Sequence, residues 1–306
     1  MPLAVRFEEY GDVDVLNVVE VPRPVPGAGE VLVQVVAAAI NPGEAVIRTG
    51  VAHAIFPATF PCGQGSDLTG LVAELGDGVS GWSVGEEVIG FTDRRASHAE
   101  YVIVEAGNLV RKPDGVPWDV AGSLYVAGTT AYAAVRAVAP GPGDAVVVAG
   151  AAGGVGSITV QLARRTGARV IGLASKANHD WLASHGVTAV EYGPGVAERI
   201  QEACGGTVDA FIDAFGNGYV EMALELGVAP QRIDTIVDFG AVGKYGVKFE
   251  GNAAAAQASV LAELAALVDA GELEVPIAAA FPLAEVREAY REVEKRHTHG
   301  KIVLHP

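Results

Sequence analysis

The stretch VVVAGAAGGVGSITVQLARRTGARVIGLASK, residues 146–176, decides how this chain is read. An apolar run, a glycine-rich turn, a stretch with apolar residues at helical spacing and a second apolar run follow one another. Strand, turn, helix and strand in that order open a dinucleotide-binding unit. The usual fingerprint is G-x-G-x-x-G, and the six positions here are Ala151, Ala152, Gly153, Gly154, Val155 and Gly156. The first glycine normally eases the tight turn, the second lets the backbone approach a pyrophosphate, and the third lets helix and strand pack closely. Gly153 and Gly156 keep the last two tasks, and Ala151 serves the first if its φ stays negative. A helix starting near Gly154 then turns free amides and the positive end of its dipole toward phosphate oxygens. The competing reading of the glycines is a flexible loop between two elements.

The end of the second strand bears on which dinucleotide is taken. An NAD site places Asp or Glu about 20 residues on, bonded to the ribose 2′-hydroxyl. Here that position reads Leu173-Ala174-Ser175-Lys176, and no acid lies between Ala168 and His179. Ser175 offers a hydroxyl donor and Lys176 a positive charge. A missing acid with an added base favours the 2′-phosphate of NADP(H); the alternative is a solvated loop lysine.

Outward from this unit the texture changes. Before residue 110 the chain reads as short strands, EVLVQVVAAAI (30–40), GLVAELG (70–76), GEEVIGF (85–91) and AEYVIVE (99–105), separated by Gly, Pro, Asn and Asp. After KPDGVPWDVAG (112–122) strands near 145–149, 169–173, 188–191, 208–213 and 233–237 alternate with helices near 154–166, 177–185, 196–203 and 217–226. Alternating β and α implies a parallel sheet with helices on both faces. An amphipathic helix over 253–271, a strand LEVPIAAAF, a helix over 284–296 and a strand GKIVL (300–304) close the chain. The expected fold class is α/β, a mainly β domain beside a doubly wound parallel sheet. The expected domains are 1–119 with 273–306, and 120–272.

Composition narrows the partners. The 306 residues include 21 Lys and Arg against 37 Asp and Glu, a net charge of −16, which argues against a nucleic-acid or anionic-membrane surface. Cys62 and Cys204 are the only cysteines, so neither a disulfide framework nor a four-cysteine zinc lobe is available, and a cytoplasmic setting is expected. No signal peptide is visible at Met1–Glu9. Residues 145–163 are uncharged over a span that could cross a bilayer, yet glycines at 150, 153, 154 and 156 point to a buried strand, turn and helix instead.

Several further segments carry a family likeness. AINPGEAVIRTG (39–50), GSDLTGLVAELGDGVSGWSVGEEVIGF (65–91), AEYVIVEAGNLVRKPDG (99–115), VAGTTAYAAV (126–135), GAAGGVG (150–156) and HTHGKIVL (297–304) occur in order. Together they resemble the zinc-free quinone oxidoreductase (zeta-crystallin-like) branch of the medium-chain dehydrogenase/reductase superfamily. The resemblance implies a GroES-like β domain carrying the substrate, a Rossmann domain carrying NADPH, the reaction in the cleft between, and a homodimer. Its glycine turn commonly begins with alanine. Carried over by position, it implies Asn41 near the nicotinamide ribose, Thr130 on the nicotinamide side, and Gly153, Gly154 and Val155 along the pyrophosphate. Ser175, Lys176 and Tyr192 would surround the 2′-phosphate and adenosine, and Phe215-Gly216 and Phe239-Gly240-Ala241 would border the cofactor. Departures are Glu44 for the aspartate of N-P-x-D, Val46 for a tyrosine, and Ser97-His98 for a small residue followed by Tyr. Residues 240–252 match no usable pattern.

Zinc-dependent relatives need a Cys and a Gly-His-Glu segment, where this chain has Asn41 and Gly65-Ser66-Asp67. His297 and His299 alone make a weak metal pair, so no catalytic zinc is expected. The expected reaction is hydride transfer from NADPH to a quinone or an α,β-unsaturated carbonyl, with small molecules as the only partners apart from a second copy. Glu44 and Tyr125 are the catalytic candidates by position, with Tyr132 and His53 behind them; water or a ribose hydroxyl would serve instead. Arg48 reads as a turn-holding ion pair. Alternatives are a non-catalytic NADPH-binding protein of structural or regulatory use and an enoyl-reductase-like biosynthetic enzyme.

Overall fold

Apolar residues at 31, 33 and 35 alternate with others along EVLVQVVAAAI, and this run folds as one eleven-residue strand around which the first unit is built. The computed structural model describes residues 1–306. In chain order the strands are β1 (Leu3–Arg6), β2 (Asn17–Glu20), β3 (Glu30–Ile40), β4 (Asp67–Leu75), β5 (Glu87–Phe91), β6 (Tyr101–Glu105), β7 (Leu109–Arg111), β8 (Ala145–Ala149), β9 (Arg169–Ala174), β10 (Thr188–Glu191), β11 (Ala210–Asp213), β12 (Ile233–Thr235), β13 (Ile277–Pro282) and β14 (Lys301–His305). By contact the chain divides into one unit of 1–126, 257–272 and 276–306, and another of 127–256 with 273–275.

The first unit holds the ribbon β1–β2 and a seven-stranded sheet ordered β13-β14-β3-β4-β5-β7, with β6 also on β3. Val31, Val33, Val35, Leu68, Val72, Val88, Val102 and Val104 fill one core. A second core gathers Val5, Phe7, Leu16, Ile40, Val286, Tyr290 and Leu304. The helix Ala258–Asp269 groups with this unit, where Asp269 Oδ1 accepts from Gly115 N at 3.0 Å; the sequence alone places it at the end of the other segment.

The second unit is a five-stranded, wholly parallel sheet ordered β10-β9-β8-β11-β12. All five residues of β8, AVVVA, are buried, because helices cover both faces of a parallel sheet. The crossover helices are Gly156–Arg165, His179–Ser184, Val196–Cys204 and Tyr219–Glu225. Strand order reverses between β8 and β11, and in open α/β sheets ligands sit outside the carboxyl ends of the strands at such a point. Residues 240–252 also take shape here. The helix Phe239–Tyr245 is capped by Asp238 Oδ1, which accepts from Ala241 N at 3.0 Å. The chain then turns at Gly246 (φ 68°) and returns to bridge Lys248 beside Asp234. No helix is long and apolar enough to cross a membrane; 145–163 divides into β8, the turn and a helix.

Candidate cofactor site and a buried polar cluster

The turn after β8 resolves how a chain without the first glycine makes it. Gly150, the residue before, takes the left-handed conformation (φ 70°), and Ala151 does not. A Cβ at Gly156 would stand 2.0 Å from Gly150 O, so only glycine lets the helix approach the strand end. Gly153 N donates to Gly150 O at 3.0 Å and Ser157 N to Gly153 O at 2.9 Å. The amides of Gly154 and Val155 take no part in these bonds and stand half-exposed at the mouth of the helix. That is an arrangement of donors suited to a diphosphate.

Parallel register carries the other residues to the same edge. Ala174 pairs with Glu191, so Ser175-Lys176 and Tyr192 leave β9 and β10 side by side. Ser175 Oγ accepts from Asn178 Nδ2 at 3.1 Å, while Lys176 and Tyr192 are exposed. On the other side of β8, Asp213 pairs with both Ala149 and Thr235, so the loops bearing Phe215 and leading into Phe239 emerge next to Gly150. Phe215 is half-buried, its ring edge against Tyr219 at 6.1 Å; Phe239 is exposed and lies 4.5 Å from the Phe249 ring. Thr130 is buried on the helix Tyr125–Val138. The structure thus brings Gly153, Gly154, Val155, Ser175, Lys176, Tyr192, Phe215 and Phe239 to one edge of one sheet.

In the first unit a polar cluster is closed around Asn41. Asn41 caps the helix Pro42–Arg48, and Glu44 completes a capping box by accepting from Asn41 N at 3.0 Å. Asn41 Nδ2 donates to Glu44 Oε1 at 3.2 Å and to Asp67 Oδ2 at 2.6 Å, and Lys301 Nζ donates to Asn41 Oδ1 at 2.5 Å. Tyr290 OH donates to Glu44 Oε2 at 2.8 Å, and Val126 N to Asp67 Oδ1 at 2.9 Å. All five side chains are buried. Burial pushes the Asp67 carboxyl up despite the Lys301 charge, and burial pushes the Lys301 ammonium down despite Asp67. Burial, then Glu44, drives the Tyr290 hydroxyl well above its ordinary value. His98 Nε2 lies 3.0 Å from Ala39 O and 4.0 Å from Glu44 Oε2. Arg48 NH2 bridges to Glu294 at 2.6 Å with its guanidinium 5.0 Å over Tyr290.

Tyr125 is buried and stacks on Phe91 with ring centroids 3.9 Å apart. Tyr132 faces Arg136 at 5.7 Å. His53 is exposed, its Nδ1 2.6 Å from Tyr10 OH. Sequence reasoning passed over Asp67, Lys301 and Tyr290, and in the second unit Asp213 and Thr235. Asp67 and Lys301 stood inside quoted segments, but nothing in one sequence marks two distant charges as neighbours. No cluster of three His, Cys, Asp or Glu is poised to hold a metal. Both Asp67 oxygens already accept hydrogen bonds, beside an ammonium.

A chain that holds a mainly β unit and a parallel-sheet unit with this turn has an NAD(P)-binding dehydrogenase fold. Family profiles agree: residues 27–114 match "Alcohol dehydrogenase GroES-like domain" and residues 183–304 match "Zinc-binding dehydrogenase". A 2-methylene-furan-3-one reductase of Solanum lycopersicum is 30% identical, over 98% of this chain and 78% of that protein. A quinone oxidoreductase of Pseudomonas aeruginosa is 28% identical over the whole of both. The solved quinone oxidoreductase of Coxiella burnetii superposes with a TM-score of 0.89 at 29% identity, covering 100% of this chain and 99% of that one. A mycobacterial protein solved with NADPH superposes with a TM-score of 0.87 at 28% identity, covering all of both. The chain belongs to the quinone oxidoreductase (zeta-crystallin-like) branch of the medium-chain dehydrogenase/reductase superfamily.

Proposed function

We propose that the protein is an NADPH-dependent oxidoreductase that reduces quinones or α,β-unsaturated carbonyls without zinc. The observation that carries this reading is the sheet edge itself. Free amides at Gly154 and Val155 sit at the switch point, and an acid-free corner with Ser175 and Lys176 lies one strand away. When bound, NADPH supplies the hydride that reaches the β-carbon of an enone or a ring position of a quinone. The chain's share is alignment and charge stabilisation, and well-oriented reactants gain roughly 7–11 kcal/mol from orientation.

The Gly154 and Val155 amides would hold the diphosphate, Ser175 and Lys176 the 2′-phosphate, Tyr192 the adenosine, and Phe215, Phe239 and Thr130 the nicotinamide end; Asn41 is the first unit's own candidate for the nicotinamide ribose. Both oxygens of Glu44 are engaged by Asn41 and Tyr290, which fits a residue that holds Asn41 rather than one that moves a proton. Tyr125, stacked and buried, fits a core role. In this reading the proton is supplied by solvent, directly or through a ribose hydroxyl of the cofactor. Asp67 is a poor zinc ligand: each of its oxygens already accepts a hydrogen bond, from Asn41 or Val126, and the neighbouring Lys301 ammonium repels a metal cation. A homodimer working in the reducing cytoplasm, with Cys62 and Cys204 as buried free thiols, completes the reading.

Titration with NADPH and NADH followed by intrinsic fluorescence tests it, with turnover of a quinone and enone panel measured before and after chelation. Saturable NADPH uptake, weaker NADH uptake and chelator-resistant turnover are the expected results. No saturable uptake, or activity lost to chelator and restored by zinc, contradicts the reading.

A further inference from the structure

Two loops leave the carboxyl ends of β11 and β12, one bearing Phe215 and Gly216, the other Val237 and Asp238 and leading into Phe239. Four of their amides converge on two buried side chains. Asp213 Oδ1 accepts from Phe215 N at 2.9 Å and from Gly216 N at 2.7 Å. Thr235 Oγ1 donates to Asp213 Oδ2 at 3.0 Å and accepts from Asp238 N at 3.1 Å and Val237 N at 3.4 Å. Both side chains are fully buried. A hydroxyl has one proton, so its donation to Asp213 turns its lone pairs to the second loop. The backbone adds Ile236 N to Asp213 O at 3.0 Å. Gly216 is left-handed (φ 84°), and a Cβ there would lie 3.3 Å from Val237 Cγ2, so the loops also touch.

We propose that Asp213 and Thr235 are positioning residues that lock these two loops together in the shape that receives the nicotinamide half of the cofactor, without touching the cofactor themselves. The inference rests on the cofactor reading above and deepens it. It follows from strand order: β9 and β10 lead into the candidates for the adenosine half on one side of β8, and β11 and β12 lead into the loops of Phe215 and Phe239 on the other. Loosening the Asp213–Thr235 pair therefore perturbs one half of the cofactor and spares the other.

Two probes separate the halves: NADPH, and adenosine 2′,5′-bisphosphate, which lacks the nicotinamide mononucleotide half. Thr235→Val removes the hydroxyl at nearly unchanged shape, and Thr235→Ser restores it. Calorimetric titration of Thr235→Val is expected to show NADPH weakened roughly tenfold, the scale of one or two net hydrogen bonds, with the bisphosphate unchanged and Thr235→Ser near wild type. Unchanged NADPH affinity, or equal weakening of both probes, overturns the inference. If Thr235→Val does not fold, Asp213→Asn serves in its place, since its amide oxygen keeps the loop amides of 215 and 216 but presents a donor to Thr235. Wild-type protein taking up neither probe refutes the cofactor reading itself, a result distinct from intact wild-type binding with unaltered variants.

Discussion

Ala151 and Gly172 are complementary: a Cβ placed on Gly172 would stand 2.9 Å from the Ala151 methyl. Ala151 is fully buried at the turn, and Gly172 lies on the neighbouring strand β9. Glycine at 172 makes the room that alanine at 151 fills, and Gly150 takes the left-handed conformation in the turn. Gly172→Ala is expected to overpack this spot, where Val187 and Leu182 also crowd at 3.1 and 3.2 Å, and to cost about 1–3 kcal/mol in denaturant unfolding. Adding Ala151→Gly should recover part of that loss, so the two changes are non-additive. Strict additivity would show that the two sites do not share the space.

Lys176 is the sharpest test of coenzyme choice. Lys176→Ala should weaken NADPH about tenfold or more, in line with about 1.5–3 kcal/mol for hydrogen bonds to charged groups, and leave NADH unchanged. Ser175→Asp should turn the preference toward NADH by restoring the acid that meets a 2′-hydroxyl. Parallel titrations of the two nucleotides measure both. Equal loss for both nucleotides in Lys176→Ala would contradict the assignment.

Asp234 gives a pH signature. Burial raises its carboxyl from 3.8 to about 7, and its Oδ2 is buried without a partner while Oδ1 accepts from Glu250 N at 2.8 Å. The folded state therefore keeps a proton that the unfolded chain releases. This group's contribution is fully present below about pH 4 and is lost as pH rises through about 7, with a slope approaching 1.4 kcal/mol per pH unit. Asp234→Asn imitates the protonated form. The variant should match wild type near pH 4 and exceed it at pH 8 in urea unfolding. A difference that does not change with pH would refute the account.

Lys301 and Asp67 form the charged centre of the cluster around Asn41. Lys301→Met leaves Asp67 buried without its cation and is expected to cost about 3–5 kcal/mol. Adding Asp67→Asn removes the unpaired charge and should restore much of the stability. Thermal unfolding of the two single variants and the double one decides it; a double variant weaker than Lys301→Met alone would place the loss in packing rather than charge.

Much of this molecule is legible in its sequence because the determining signals are local. The five parallel strands, their crossover helices and the acid-free end of β9 follow from period, turn residues and one missing carboxylate. What escaped reading is long-range. Tyr290 meets Glu44 across 246 positions and Lys301 meets Asn41 across 260, and no pattern within either segment announces the other. Residues 240–252 resisted for a related reason: Lys248 is held beside β12 by pairing with Asp234, a contact set by the sheet rather than by local propensity. The helix Ala258–Asp269 has the amphipathic spacing of any surface helix, so the unit it joins is decided by contacts such as Gly115 to Asp269.

The most direct test of the central claim follows the hydride. Wild-type protein is incubated with NADPH deuterated at nicotinamide C4, each face in turn, and a simple cyclic enone, and the product is weighed by mass spectrometry and mapped by NMR. The account predicts a saturated ketone one mass unit heavier from one of the two cofactors, with deuterium on the β-carbon and a solvent-derived hydrogen on the α-carbon. Failure under saturating NADPH to reduce either this enone or a simple quinone, or deuterium on the carbonyl carbon, would contradict it.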